Sequence, residues 1–178
     1  MLVPAAPPVL GLHHSAYRCR DAEETRHFYE DILGLPLIHV VKAEHVPSTG
    51  ESTSFAHVFF KLADGSCIAF FDLGDNEVAA PSPNTPPWVN HIAFKVPSVE
   101  ALNAMKARLE ANGIKVLGVT DHEFVNSIYF FDPNGVRLEF TTQVVGEDKI
   151  DQYAREAHAE LKSWNERKAS RTRAPARA

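Results

Sequence analysis

Cysteine is scarce in this chain: two residues, Cys19 and Cys67, among 178. A pair that sparse cannot build a disulfide framework or a cysteine-rich zinc site, so a reducing, cytoplasmic setting is expected. Long apolar runs are missing too. None approaches the ~18–20 residues that cross a bilayer, and no membrane partner is expected. The opening Met1-Leu2-Val3-Pro4-Ala5-Ala6-Pro7-Pro8 has no basic stretch and is broken by prolines, so it does not read as a secretory signal. What is present is ordinary: 44% apolar and 23% charged residues exclude wholesale disorder and collagen-like repeats. The length suits one domain, or two small modules sharing a core.

The net charge of −5 conceals an asymmetry. Five of the 18 basic residues (Arg167, Lys168, Arg171, Arg173 and Arg177) follow residue 166, leaving 13 in the body against 23 acids. An acidic body argues against nucleic acid as a partner. The stretch 167–178, with its spaced cations among Ser, Thr, Ala and Pro, reads as a disordered basic tail.

Periodicity reveals a repeat. Leu10–Cys19 reads as a strand; Asp21 and Glu24 form a capping-box pattern before a helix that buries Phe28, Tyr29, Ile32 and Leu33 and stops at Gly34. Extended stretches follow at Leu37–Val46, Ser54–Leu62 and Cys67–Leu73, the last two joined by the turn Ala63-Asp64-Gly65-Ser66. A proline-rich linker (Pro81, Pro83, Pro86, Pro87) separates this from a second round. There Val89–Val96 is a strand, and Ser98 caps a helix with Leu102, Met105 and Leu109 on one face, ending at Asn112-Gly113. Ile114–Val119, Ser127–Phe131 and Val136–Thr142 are strands. The expected fold is therefore α+β: two tandem βαβββ modules, their sheets forming a shared concave mixed sheet. The domain spans 9–143, with module one at 9–74, the linker at 75–87 and module two at 88–143. An amphipathic helix over 147–166, carrying Ile150, Tyr153, Ala157, Leu161 and Trp164, should dock on this domain or on a second chain.

Strand parity sorts the polar residues. With Ile92, Phe94 and Val96 on the core side, His91, Ala93 and Lys95 face the concavity, and the repeat places His14, Ala16 and Arg18 likewise. In the last strand Val136 and Leu138 take the core side, leaving Arg137 and Glu139 on the concave side with Tyr129; Phe59 and His57 are the module-one counterparts. Two histidines and one glutamate thus converge. The pattern fits three hydrogen-bonded structural residues, or a divalent ion such as Fe(II), Mn(II) or Zn(II), and a 2-His-1-carboxylate set suits non-haem Fe(II).

The segments Leu12-His13-His14-Ser15-Ala16-Tyr17, Phe28–Leu35, Val89–Phe94 and Ser127–Phe140 resemble the vicinal oxygen chelate superfamily, the glyoxalase/bleomycin resistance/extradiol dioxygenase group. Tyr129-Phe130-Phe131-Asp132-Pro133-Asn134-Gly135 followed by Glu139 is similar to the ring-cleavage dioxygenases especially. The resemblance implies that His14, His91 and Glu139 are metal ligands, with Fe(II) expected and Mn(II), Zn(II) or Ni(II) compatible. The fourth carboxylate of glyoxalase I is replaced by Ala69, and bleomycin-sequestering relatives lack the metal set. Tyr129, ten residues before Glu139, would hydrogen-bond the substrate. The acid–base histidine of the dioxygenases is missing, since Ser66-Cys67-Ile68 stands in its place, and His57 or His122 would substitute. His13, His27, His39, His45 and His158 read as structural or surface residues. The expected activity is dioxygenase cleavage of a catechol-like aromatic with O2, by a homodimer. The alternatives are an O2-independent isomerase, lyase or thiol transferase on the same scaffold, or a non-catalytic small-molecule-binding module.

Overall fold

The structure, a computed structural model, describes residues 8–173. Module one comprises β1 (His14–Cys19), α1 (Ala22–Arg26, continuing as a π-helical turn over His27–Ile32), β2 (Leu37–Ala43), β3 (Phe55–Lys61) and β4 (Cys67–Asp72). Module two comprises β5 (Ile92–Lys95), α2 (Val99–Ala111), β6 (Leu117–Asp121), β7 (Val125–Phe131) and β8 (Arg137–Gln143), followed by α3 (Glu147–Arg173). Each module forms its own four-stranded sheet, in the orders β1-β4-β3-β2 and β5-β8-β7-β6. The first strand of each lies parallel to the fourth, and the rest are antiparallel. The βαβββ repeat is thus present in both halves, with β1 and β5 at sheet edges.

Local chemistry sets the helix ends. Asp21 Oδ1 accepts the Glu24 backbone N–H at 2.7 Å, but the Glu24 carboxylate does not complete a capping box; it holds Arg20 instead. Ser98 caps α2 by accepting from Ala101 N at 3.2 Å. Gly34, with φ +78°, supplies the left-handed residue that ends the first helix.

Strands begin where their partners begin. β1 starts at His14 rather than Leu10 because its neighbour β4 starts at Cys67, whose N–H bonds His13 O. Leu10 and Leu12 are exposed. β5 is short for the same reason: its partner β8 emerges from the Asp132–Gly135 turn only at Arg137. The strand expected at 114–119 lies at 117–121, while Ile114 and Val116 pack against the core.

Both modules contribute to one hydrophobic cluster that includes Tyr29, Phe60, Phe70, Leu102, Phe130 and Leu138. α1 lies at its centre. The Tyr29 ring stacks 5.2 Å from Phe60 and lies tilted 4.9 Å from Phe70 in its own module. Its hydroxyl donates to Asp132 Oδ2, in module two, at 3.0 Å. From α2, Arg108 donates to the Ile32 carbonyl at 2.5 Å and to the Asp31 carbonyl at 2.8 Å. The modules therefore meet through their helix-bearing sides. Each sheet's concave face turns outward, with His14, Ala16 and His39 exposed on one and Ala93 and Lys95 on the other. The two sheets do not close around one concavity within a single chain: burying the apolar helix faces brings the other sides of the sheets together.

The linker is irregular, as expected. α3 seats only its first turns, with Tyr153 6.1 Å from Phe124, and leaves Leu161 and Trp164 exposed. It runs to Arg173, beyond the expected end at 166 and into the stretch read as disordered, because no glycine or proline interrupts it before Pro175. Residues 1–7, and residues 174–178 of the expected tail, lie outside the described residues. No helix among the described residues is long and apolar enough to cross a membrane.

Candidate functional site

Strand β8 alternates its side chains as the parity required: Leu138 and Phe140 are buried in the core cluster, and Arg137, Glu139 and Thr141 take the concave side. Across the ladder Glu139 lies opposite Ala93 on one side and Tyr129 on the other. The small Ala93 leaves room above it, and His91 Nε2 comes within 3.0 Å of Glu139 Oε2. The other ring nitrogen, Nδ1, lies 3.0 Å from the Val89 carbonyl, to which it can only donate. A neutral His91 with its proton on Nδ1 then presents a bare Nε2 lone pair to a carboxylate oxygen. Two acceptors in contact call for a proton or a cation, and a backbone carbonyl behind the distal nitrogen is how ligating histidines are commonly held. The pair fits two positions of a divalent-ion site.

Tyr129 stands beside it, its ring 6.2 Å from that of His91. The hydroxyl is 2.7 Å from Nε2 of His122, which sits in the turn between β6 and β7. Burial, and then the Glu139 carboxylate, push the Tyr129 pKa above its ordinary 10. The side chain is a phenol at neutral pH.

The remaining expected residues lie on the module-one face. His14 contacts Phe59 edge to face at 5.4 Å, with His57 6.0 Å away. His13, read as structural or surface, brings its Nδ1 to 2.8 Å from that of His14. His57 is 6% exposed, stacked on Phe71 at 3.6 Å, and its Nδ1 has no hydrogen-bond partner among the described residues. Burial first, and the nearby His14 second, lower its pKa, so the ring is neutral near pH 7. Phe59 faces Ala69 as Tyr129 faces Glu139, which makes module one an aromatic copy of the module-two face.

One chain thus gathers His91, Glu139, Tyr129 and His122 on one sheet and His14 with His57 on the other. Among the described residues no three of His, Cys, Asp and Glu are grouped to hold a metal ion. A further residue on the module-two face had no role assigned from the sequence. Arg137, two residues before Glu139, lines a cavity of about 460 Å3 with His91, Asn90, Phe131, Tyr17 and part of the linker. Its parity was legible; the cavity, which depends on the path of the linker, was not.

The Bacillus subtilis (strain 168) protein "Putative ring-cleaving dioxygenase MhqA" is 27% identical over 150 residues, covering 78% of this chain; the chain spans 42% of that relative's length. Among solved structures, a glyoxalase/dioxygenase from Nostoc punctiforme superposes with a TM-score of 0.58 at 21% identity, covering 82% of this chain and 100% of that one. The fosfomycin resistance protein FosX from Listeria monocytogenes, complexed with Mn(II) and 1S,2S-dihydroxypropylphosphonic acid, gives 0.56 at 21% identity, covering 80% and 98%. At that identity the two structures establish the fold. A family model matches residues 11–140, a range that takes in both modules and the linker between them. The chain belongs to the Glyoxalase/Bleomycin resistance protein/Dioxygenase superfamily.

Proposed function

We propose that this protein is a metal-dependent ring-cleaving dioxygenase acting on a catechol-like aromatic with O2. The observation that carries the reading is the contact of His91 Nε2 with Glu139 Oε2, with the tyrosine–histidine pair Tyr129 and His122 beside it. The name of the Bacillus relative, "Putative ring-cleaving dioxygenase MhqA", supports the same reading. His91 and Glu139 would hold a divalent ion, Fe(II) first, and a second copy of the chain would present His14 from its outward-facing module-one sheet. A bound divalent ion supplies Lewis acidity that lowers the pKa of a coordinated hydroxyl.

The chain's own groups handle orientation and protons. With its Nε2 protonated, His122 donates to the Tyr129 oxygen and leaves the phenolic hydrogen free for a substrate oxygen. His122 is exposed at the outer end of that pair. His57, neutral and with an unpartnered Nδ1, is a base for a ring hydroxyl once the second copy's module one is brought over module two. Phe59 and Phe71 wall that side.

The test is oxygen uptake by anaerobically Fe(II)-loaded protein given a panel of substituted catechols. Uptake that needs both Fe(II) and a catechol, and is lost in His91→Ala and Glu139→Ala, is expected. Metal bound but no uptake, with turnover of an enolisable or epoxide substrate under argon, would replace ring cleavage with an O2-independent reaction. The second-copy arrangement has its own test, in the metal content of mixed variants. His14→Ala and Glu139→Ala each bind no ion alone. Mixed at random, half of the dimers are mixed and one of their two sites is intact, restoring about a quarter of wild-type content. No restoration would put the whole site in one chain.

A further inference from the structure

Among the described residues Arg137 is a cation without a counter-charge. Its guanidinium carbon sits 4.5 Å from the centre of the Tyr129 ring. Stacking of that kind satisfies the face of the guanidinium, but its N–H donors lie in its plane and point past the ring. The Nε donor is shielded from solvent and has no hydrogen-bond partner. Among the described residues no carboxylate comes within ion-pair distance of it; the nearest acid along the strand, Glu139, is engaged with His91. A half-buried cation in that state carries a desolvation cost that an oxyanion would relieve, best in the two-point geometry that a planar guanidinium offers a planar carboxylate.

The missing partner has a place to come from. Arg137 lines the 460 Å3 cavity together with His91 and Phe131. Ile92 pairs with Leu138, so one residue back on each strand His91 and Arg137 lie side by side. Arg137 and Glu139 share a face one strand repeat apart, ~7 Å between Cα atoms, roughly the width of one substituted aromatic ring. A ligand whose oxygens lie at the His91–Glu139 pair therefore extends a ring substituent along β8 to Arg137.

We propose that Arg137 is an anion subsite, and that the substrate is an aromatic diol bearing a carboxylate or an equivalent oxyanion on its ring or side chain. The substrate class rests on the ring-cleavage reading; the subsite rests only on the unpartnered guanidinium and the cavity it lines. Arg137 is then the residue that sets specificity, separating anionic from neutral diols of the same shape.

Two measurements test this. In the first, Mn(II)-loaded protein under argon is titrated calorimetrically with 3,4-dihydroxybenzoate and with its uncharged isostere 3,4-dihydroxybenzamide. The acid is expected to bind about tenfold or more tightly, as a charge-assisted hydrogen-bonded pair should. The ratio should fall to near one in Arg137→Gln and to an intermediate value in Arg137→Lys, which keeps the charge without the fork. A ratio near one in the wild type, or the wild-type ratio in Arg137→Gln, overturns the proposal. In the second, metal-free protein is treated with phenylglyoxal and the modified arginines are mapped by mass spectrometry. Benzoate, which has no diol, is expected to protect Arg137, while benzamide does not. Failure of benzoate to protect overturns the subsite and points to an acidic group of a second copy as the partner. Protection without O2 uptake on any diol leaves the subsite standing and removes the ring-cleavage reading.

Discussion

Asp132 shows what a single buried acid does in this molecule. It is 5% exposed and accepts from Tyr29 Oη at 3.0 Å, Asn134 N at 2.9 Å and Val136 N at 2.7 Å. It thereby ties module one to the last turn of module two. Replacement by alanine leaves those donors unpaired, and an expected loss of ~3 kcal/mol is measurable by urea denaturation. Burial outweighs the hydrogen bonds and raises its pKa above the ordinary 3.8. The folded chain therefore holds this proton more tightly than the unfolded chain, and its contribution to stability falls as pH rises through the interval just above 4. Asp132→Asn should flatten that part of the melting-temperature profile. At the proposed site, Tyr129→Phe removes only the hydroxyl that faces His122. Oxygen uptake is expected to drop ~100-fold, with metal content unchanged.

Individual elements divide into those the sequence specifies alone and those set by neighbours. α2 belongs to the first kind: Ser98, the Leu102–Met105–Leu109 stripe and Gly113 delimit it, and all three features stand where the pattern put them. Ser98→Ala should cost ~1 kcal/mol in thermal unfolding. β6 belongs to the second kind. Its start shifts to Leu117 because the strand must register with β7, Leu117 opposite Tyr129 and Thr120 opposite Ser127. Gly118 sits between those pairs with φ +105°, and a Cβ there would meet Ser127 O at 2.8 Å and Thr120 N at 2.9 Å. Gly118→Ala is expected to destabilise by ~2 kcal/mol and to disturb Tyr129; a change in the tyrosine region of the near-ultraviolet circular dichroism would report it. The π-helical turn at His27–Ile32 was not legible, since its apolar residues fit an ordinary helical face equally well.

Across the whole molecule, the two sheet faces that carry the proposed site residues turn outward from one core. Parity alone put His14, His91, Glu139, Tyr129 and His57 on concave faces, because a strand's side chains alternate whatever the sheet packs against. His122 lies in a turn, where no periodicity applies, and only its 2.7 Å contact with Tyr129 links it to the site. The expected outcome for the intact protein is a particle of twice the 19.7 kDa chain mass, read by sedimentation, with metal content that rises with protein concentration as dimers form.

By itself the sequence determined the two βαβββ modules, the caps, the core faces and the identity of the polar residues on each sheet. All of these follow from local periodicity and from the chemistry of short segments. Which sheet faces meet was a tertiary decision. Burying Phe28, Tyr29, Leu102 and Leu109 in one shared core turned the helix sides inward and left His14 apart from His91 and Glu139. The same packing carried the linker past Arg137 and gave that unpaired cation a cavity. Such contacts join residues far apart in the chain, and no local pattern encodes them.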